Sequence, residues 1–217
     1  MVEKKERRRI LEPTERFSEI LFGLIMVLTF TCTLSAATGD RDEVRSVLIG
    51  AIGCNLAWAI VDAVMYLLNT LGERGRRLLT LRSVRAADPV EGRRLVTAAM
   101  PPVLVGIVHE AQVESLRERL IALPEPPARP TLVADDFLGA VGVFLLVFLS
   151  TFPVVIPFLL IGETATAVRA SNAVALVMLF VAGSAFGRAA GYRPWRTGFW
   201  MVALGVVLVL ITIALGG

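Results

Sequence analysis

The stretch FLGAVGVFLLVFLSTFPVVIPFLLI, residues 137–161, decides the fold, because it contains no charged side chain. A bilayer core of about 30 Å is crossed by roughly 20 apolar residues in a helix, since each residue rises about 1.5 Å. Hydrocarbon offers no water to the backbone, so a helix must pair its own polar groups. The stretch therefore predicts a membrane-spanning helix. Pro153 and Pro157 predict a kink in it that frees backbone carbonyl groups.

Four further apolar stretches lie on either side of this one, at residues 20–37, 47–71, 170–186 and 199–215. The chain is 55% hydrophobic with a mean hydropathy of +0.70, which is too apolar for a single soluble core of this size. We therefore predict an all-α integral membrane protein with five transmembrane helices and a cytoplasmic helical insertion between helices 2 and 3.

Changes in composition divide the chain into four predicted parts. Residues 1–17 form a cytoplasmic N-terminal tail, and residues 18–71 contain transmembrane helices 1 and 2. Residues 72–136 form a cytoplasmic helical insertion, rich in arginine, that ends in a proline-rich linker. Residues 137–217 contain transmembrane helices 3 to 5.

The basic residues predict the orientation in the membrane, because loops rich in lysine and arginine stay in the cytoplasm. The tail has six such residues, the insertion ten and the loop 187–198 three, whereas the two intervening loops have two and one. The N-terminus is therefore expected in the cytoplasm and the C-terminus outside, most simply in a bacterial plasma membrane. A cleaved signal peptide is a weaker alternative for the first span, because acidic residues are scattered through the preceding tail.

Several classes of function are not indicated. The chain has no Walker loop, dinucleotide fingerprint, nucleophile elbow or zinc-protease motif, so we expect neither an enzyme nor a bound cofactor. The net charge of +3 is explained by the basic loops, so nucleic acid is not an expected partner. Cys32 and Cys54 match no paired-cysteine zinc signature and are expected to be packing residues.

A polar stripe in the second span contains the strongest candidate site. Asp62 is the only acidic residue well inside a predicted span, and such residues are costly unless they are paired or face water. Asn55 lies seven residues before it and Met65 three residues after it, positions that we place on the same face. Glu19 and Met26 of the first span could line the same path.

These side chains suggest two alternatives. A carboxylate, an amide oxygen and thioethers together suit a divalent cation such as iron(II) or manganese(II), so Asp62, Asn55, Met65, Glu19 and Met26 form a candidate metal site. Alternatively, Asn55 and Asp62 hydrogen-bond a neighbouring helix or a second subunit. The spacing alone does not decide between them.

Three segments resemble the vacuolar iron transporter family. FLSTFPVVIPFLL at 148–160 is similar to the third span of that family with its paired prolines. GRAAGYRPWRTG at 187–198 is similar to its final loop, and GAIGCNLAWAIVDAVMY at 50–66 more loosely to its second span. The layout of two spans, a cytoplasmic insertion and three further spans also resembles that family.

The resemblance implies a homodimer that moves iron(II) or manganese(II) out of the cytosol in exchange for protons, along a path between the subunits. The chain departs from the family in the first span, where an Asp-Gly pair is usual and the aligned region here reads Phe22, Gly23, Leu24, Ile25. Its insertion is rich in arginine rather than in glutamate and methionine. These departures favour an alternative, a non-transporting membrane protein whose arginine-rich insertion binds a partner or anionic lipid.

Overall fold

The computed structural model describes residues 20–21, 23–26, 28–29 and 41–214. The described residues between 20 and 29 are helical. Eight helices follow, and no β-strand occurs in the described ranges: α1 Arg41–Ala86, α2 Pro89–Ala98, α3 Pro102–Val105, α4 Glu110–Ala122, α5 Ala134–Ser150, α6 Phe152–Leu160, α7 Thr164–Ala189 and α8 Pro194–Ala214. The expected all-α class is confirmed for these residues. Glu19, Cys32 and the predicted tail 1–17 lie outside them.

Three helical stretches are long and apolar enough to cross a membrane: Leu48–Ala86, Ala134–Leu160 and Thr164–Ala189. Only 17% of the apolar window in the first stretch is buried inside the chain, and 33% in each of the other two. So much apolar surface is unfavourable in water and has to be covered by lipid or by another chain. These helices are compatible with integral membrane localisation.

The described chain forms two compact units. The first consists of the described parts of Met1–Tyr66 and Leu138–Gly217, and the second consists of Leu67–Phe137. The boundaries between the units fall inside α1 and near the start of α5. The second unit covers the polar, arginine-rich segment that the sequence marks at residues 72–136.

The core of the first unit lies where the residues near position 20 meet α6 and α7. Leu21, Leu24 and Leu28 pack against Val154 of α6 and Leu179 of α7. A second cluster joins α1 to α5 and contains Ala59, Val143 and Val147, with Tyr66 beside them. Each position follows the helical repeat of three or four residues, which places one apolar stripe of every helix toward its neighbours.

Helices α7 and α8 pack along each other through glycines. A Cβ at Gly183 would lie 2.7 Å from Cβ of Met201 and 3.2 Å from Cα of Gly198. A Cβ at Gly187 would lie 2.7 Å from Cβ of Thr197. Small residues let helix backbones approach closely in lipid, where dispersion contacts replace the hydrophobic effect as a source of helix association.

The expected interruption of the third predicted span is present. Helix α5 ends at Ser150 and α6 begins at Phe152, one residue before Pro153. The amide of Val154 donates to the carbonyl of Thr151 at 3.1 Å, a three-residue hydrogen bond that tightens the first turn of α6. Proline has no N–H, so the carbonyl of Leu149 receives no helical hydrogen bond from position 153.

The second unit is built around Val84, Val96 and Val113, with α2 packed on α4. Asp88 caps α2, since its carboxylate accepts hydrogen bonds from the amides of Val90 and Glu91 at 2.9 and 3.0 Å. These bonds lower the pKa of Asp88. Capping and a small valine cluster therefore order α2 and its packing on α4.

A charged clamp, formed by Arg74 and Asp136, joins the first and last parts of the second unit. The guanidinium of Arg74 donates to both carboxylate oxygens of Asp136, at 2.6 and 2.7 Å, and also to the carbonyl of Thr131 at 2.6 Å. Asp136 also accepts from the amide of Val133 at 2.7 Å, and its side chain is only 3% exposed. A buried carboxylate with this many donors is fixed in place, and the proline-rich segment before α5 is fixed with it.

We expect Gly183→Ala to destabilise the protein by about 1–3 kcal/mol, because the added methyl group overlaps the Met201 side chain near its backbone. The thermal unfolding midpoint in detergent measures this effect. Gly72→Ala is the matched control, since that helical glycine has nothing within 4 Å of its Cβ position. Equal midpoints for the two variants would contradict close packing of α7 on α8.

We expect Asp136→Asn to weaken the closed clamp by about 3 kcal/mol, or roughly 100-fold in the local opening equilibrium, because Arg74 loses its charged partner. Hydrogen exchange of peptides covering residues 130–137 measures this opening. Glu73→Gln is the control, because its pair with Arg77 is exposed and such pairs contribute little. Unchanged exchange in Asp136→Asn would show that the clamp contributes no stability.

Candidate functional site

The polar stripe of α1 lies against α5. Asn55 is buried, Asp62 is partly buried, and Ala59 and Tyr66, which share their face, belong to the cluster with Val143 of α5. The stripe follows from spacing, since positions 55, 59, 62 and 66 recur every three or four residues. Tyr66 packs directly on Gly139, whose missing side chain leaves room for the ring.

Asn55 is held by two hydrogen bonds at the interruption between α5 and α6. Its amide nitrogen donates to the carbonyl of Phe148 at 3.0 Å and to the hydroxyl oxygen of Thr151 at 2.7 Å. The Thr151 hydroxyl in turn donates to the carbonyl of Phe148 at 3.1 Å. Because Phe148 offers only an acceptor here, the orientation of the amide is fixed.

More hydroxyl groups surround the interruption. Ser150 donates to the carbonyl of Val147 at 2.8 Å, and Ser171 of α7 donates to the carbonyl of Val154 at 2.6 Å. Ser171 and Thr151 are both buried. Side chains thus supply hydrogen bonds to backbone carbonyls that lie beside the break.

The amide oxygen of Asn55 is different, because it is buried and has no hydrogen-bond partner. Gly23 lies beside it: a Cβ there would be 3.9 Å from this oxygen and 3.5 Å from the hydroxyl oxygen of Ser150. An unpaired buried acceptor costs about 1–3 kcal/mol, so its presence needs an explanation. The arrangement offers a fixed oxygen ligand inside the first unit.

The sulfur atoms among the predicted ligands are placed differently. Met26 lies near α1, where its sulfur accepts a hydrogen bond from the thiol of Cys54 at 3.5 Å. Met65 is 47% exposed, so it points away from the face on which Asn55 is buried. Asn55 therefore lies at the interruption, and Met26 contacts Cys54, the residue before Asn55. Met65 lies outside this group. Glu19 is not among the described residues.

The described part of the chain has no group of three or more His, Cys, Asp or Glu residues able to hold a metal ion. The potential ligands near the stripe are a carboxylate at Asp62, an amide oxygen at Asn55, hydroxyl groups and a thioether at Met26.

Sequence reasoning missed Thr151, Ser150, Ser171 and Gly23. The signal for the first two was present, since the Ser-Thr pair at 150–151, which Phe152 separates from Pro153, is the only polar interruption between residues 137 and 161. Hydroxyl side chains near a proline in an apolar helix commonly pair the carbonyl groups that the proline leaves free. Gly23 has no comparable signal.

We expect Asn55→Ala and Thr151→Val to be energetically coupled by about 0.6 kcal/mol, and by no more than about 1.7 kcal/mol, because they share one hydrogen bond. A double-mutant cycle on the unfolding free energy in detergent measures the coupling. Ser150→Ala combined with Asn55→Ala is the control and should be additive, since Ser150 bonds only within its own helix. Additivity in both cycles would contradict a stabilising hydrogen bond between Asn55 and Thr151.

No protein-family model matches this chain, and no curated protein matches it.

Proposed function

We propose that this protein is a membrane transporter that exports a divalent cation, iron(II) or manganese(II), from the cytosol in exchange for protons. The observation that supports it best is the buried, unpaired amide oxygen of Asn55, which shares a membrane helix face with the carboxylate of Asp62. A cation passing along this face would satisfy the amide oxygen. It would also offset the cost of keeping Asp62 in an apolar helix.

The proposed transporter has five membrane spans. Two are added to the three apolar stretches already described: helix α8, and the first apolar stretch, residues 20–37. Helix α8 is 21 residues long and exposes Phe199, Leu204, Val207 and Leu210. The N-terminus is placed in the cytoplasm and the C-terminus outside the bacterial plasma membrane, as the basic loops indicate.

A homodimer is part of the same proposal. The face of α1 that is turned away from Asn55 exposes Met65, with Ile60, Val61, Val64 and Leu68. A second subunit placed there would add the exposed Met65 to the path of the cation, and Glu19 and Met26 would contribute from the first span. Asp62 would carry the proton, since a carboxylate releases a proton when a metal binds and recovers it when the metal leaves.

The alternative function, in which the arginine-rich insertion binds a partner or lipid, is weakened by how these arginines are used. Arg82 and Arg85 donate to backbone carbonyls of the proline-rich segment and of residues near the end of α4. Arg93 and Arg117 both pair with Glu114 and lower its pKa. Seven of the ten arginines bond to their own unit: Arg74, Arg77, Arg82, Arg85, Arg93, Arg94 and Arg117. Their charges mostly serve the fold.

We expect Asp62→Asn to abolish metal flux while leaving the protein folded, because the amide keeps the shape of the side chain but cannot carry the charge or the proton. Liposomes loaded with a dye quenched by iron(II) and manganese(II) measure the flux, and a pH dye measures proton counterflow. Glu163→Gln is the control. It removes a carboxylate from the connection between α6 and α7 and should leave flux unchanged.

Two outcomes would contradict this proposal. Equal flux in wild type and Asp62→Asn would show that Asp62 is not needed for transport. Metal flux without proton counterflow would contradict the proposed exchange of metal for protons. Absence of flux in wild-type protein that is folded and reconstituted would overturn the transport function itself.

A further inference from the structure

The connection between α7 and α8 is a tight turn with a defined backbone. The amide of Ala190 donates to the carbonyl of Phe186, and that of Tyr192 to the carbonyl of Gly187, each at 2.8 Å. Gly191 between them has φ of +78°, a left-handed conformation that favours glycine. Helix α8 then begins at Pro194, which suits a first helical position. The positions that follow this turn are therefore well fixed.

Three arginines lie at this turn, and none of them is paired with an acidic side chain among the described residues. They are Arg188 at the end of α7, and Arg193 and Arg196 at the start of α8. Residues 164–217 contain no aspartate or glutamate, and none of the ion pairs between described residues involves these arginines. This use of arginine is the opposite of that in the second unit, where arginines pair with their own chain.

Two of the arginines line one cleft. Arg193 and Arg196 border a space of about 380 Å³ together with Phe186, Tyr192, Thr197 and Trp200. The hydroxyl of Thr197 donates to the carbonyl of Arg193, four residues earlier, at 3.1 Å. Guanidinium groups are suited to phosphate because they present several donors in one plane.

A second, more apolar cleft adjoins the first and shares Arg196 and Trp200 with it. Its other lining residues are Trp195, Phe199 and Ala203, and its volume is about 670 Å³. The guanidinium carbon of Arg196 lies 5.4 Å from the Trp195 ring centre, which keeps the charge beside the aromatic surface. Trp200 is 74% exposed. Exposed tryptophan next to arginine, at the end of an apolar helix, is typical of the membrane interface.

We propose that these two clefts form a binding site for an anionic phospholipid, with its phosphate between Arg193 and Arg196 and its acyl chains along Trp195, Phe199 and Trp200. The charge and the apolar surface together require an amphiphile, because a soluble anion would leave the aromatic cleft uncovered. In the orientation proposed above the turn faces the cytoplasm, where anionic lipids attract basic segments. The site is independent of metal transport.

The test is lipid binding to the full chain in detergent, followed by native mass spectrometry during titration with phosphatidylglycerol or with zwitterionic phosphatidylcholine. We expect the wild type to prefer phosphatidylglycerol. The variant with Arg193→Gln and Arg196→Gln should bind it about 30-fold more weakly, since each arginine contributes roughly fivefold. Arg193→Lys with Arg196→Lys keeps the charge and should recover part of the affinity.

The charge-matched control is Arg76→Gln with Arg129→Gln, which removes two exposed arginines from the second unit. This control should bind phosphatidylglycerol as the wild type does. An equal loss in the control would show general charge attraction and overturn the site, as would wild-type affinity in the glutamine variant. Excess inorganic phosphate should leave the lipid bound, and displacement by phosphate would overturn a lipid as the occupant. Thermal unfolding confirms that each variant is folded.

Discussion

A backbone carbonyl inside an apolar layer must find a hydrogen bond within the protein, and the arrangement of the first unit depends on this requirement. Prolines at 153 and 157 interrupt the hydrogen-bond ladder of the α5 to α6 stretch. Asn55 and Thr151 supply bonds to the carbonyl of Phe148, and Ser171 supplies one to the carbonyl of Val154. Helices α1 and α7 are therefore tied to one break by polar bonds, and apolar packing fills the space around them.

The two units use charge for different purposes. In the second unit, Arg74 of α1 pairs with Asp136 of α5, and Arg93 of α2 pairs with Glu114 of α4 beside a small valine cluster. A unit of this size cannot bury much apolar surface, so specific polar bonds contribute a large part of its order. Among the described residues of the first unit, buried polar groups are few, and the arginines at the turn after α7 are in none of the ion pairs.

The sequence predicts the helical class because long apolar stretches allow few other structures in a membrane. It also predicts the interruption near Pro153, and it places Asn55 and Asp62 on one face through their seven-residue spacing. It does not predict that Met65 is half exposed, because a neighbouring position on a helix wheel differs by about 100° and the partner helices decide which side is covered. Nor does it predict Gly23 beside Asn55, since contacts between distant segments leave no local pattern.

The two readings of Asn55, as a structural bond and as a cation ligand, are compatible because they use different atoms. The amide nitrogen makes both structural hydrogen bonds, and the amide oxygen makes none. Bonds to Phe148 and Thr151 prevent the amide from rotating, so they fix the direction in which the oxygen points. A ligand held in this way loses little entropy when a cation arrives. The acceptors beside the break between α5 and α6 thus orient Asn55, and the same bonds leave its oxygen available.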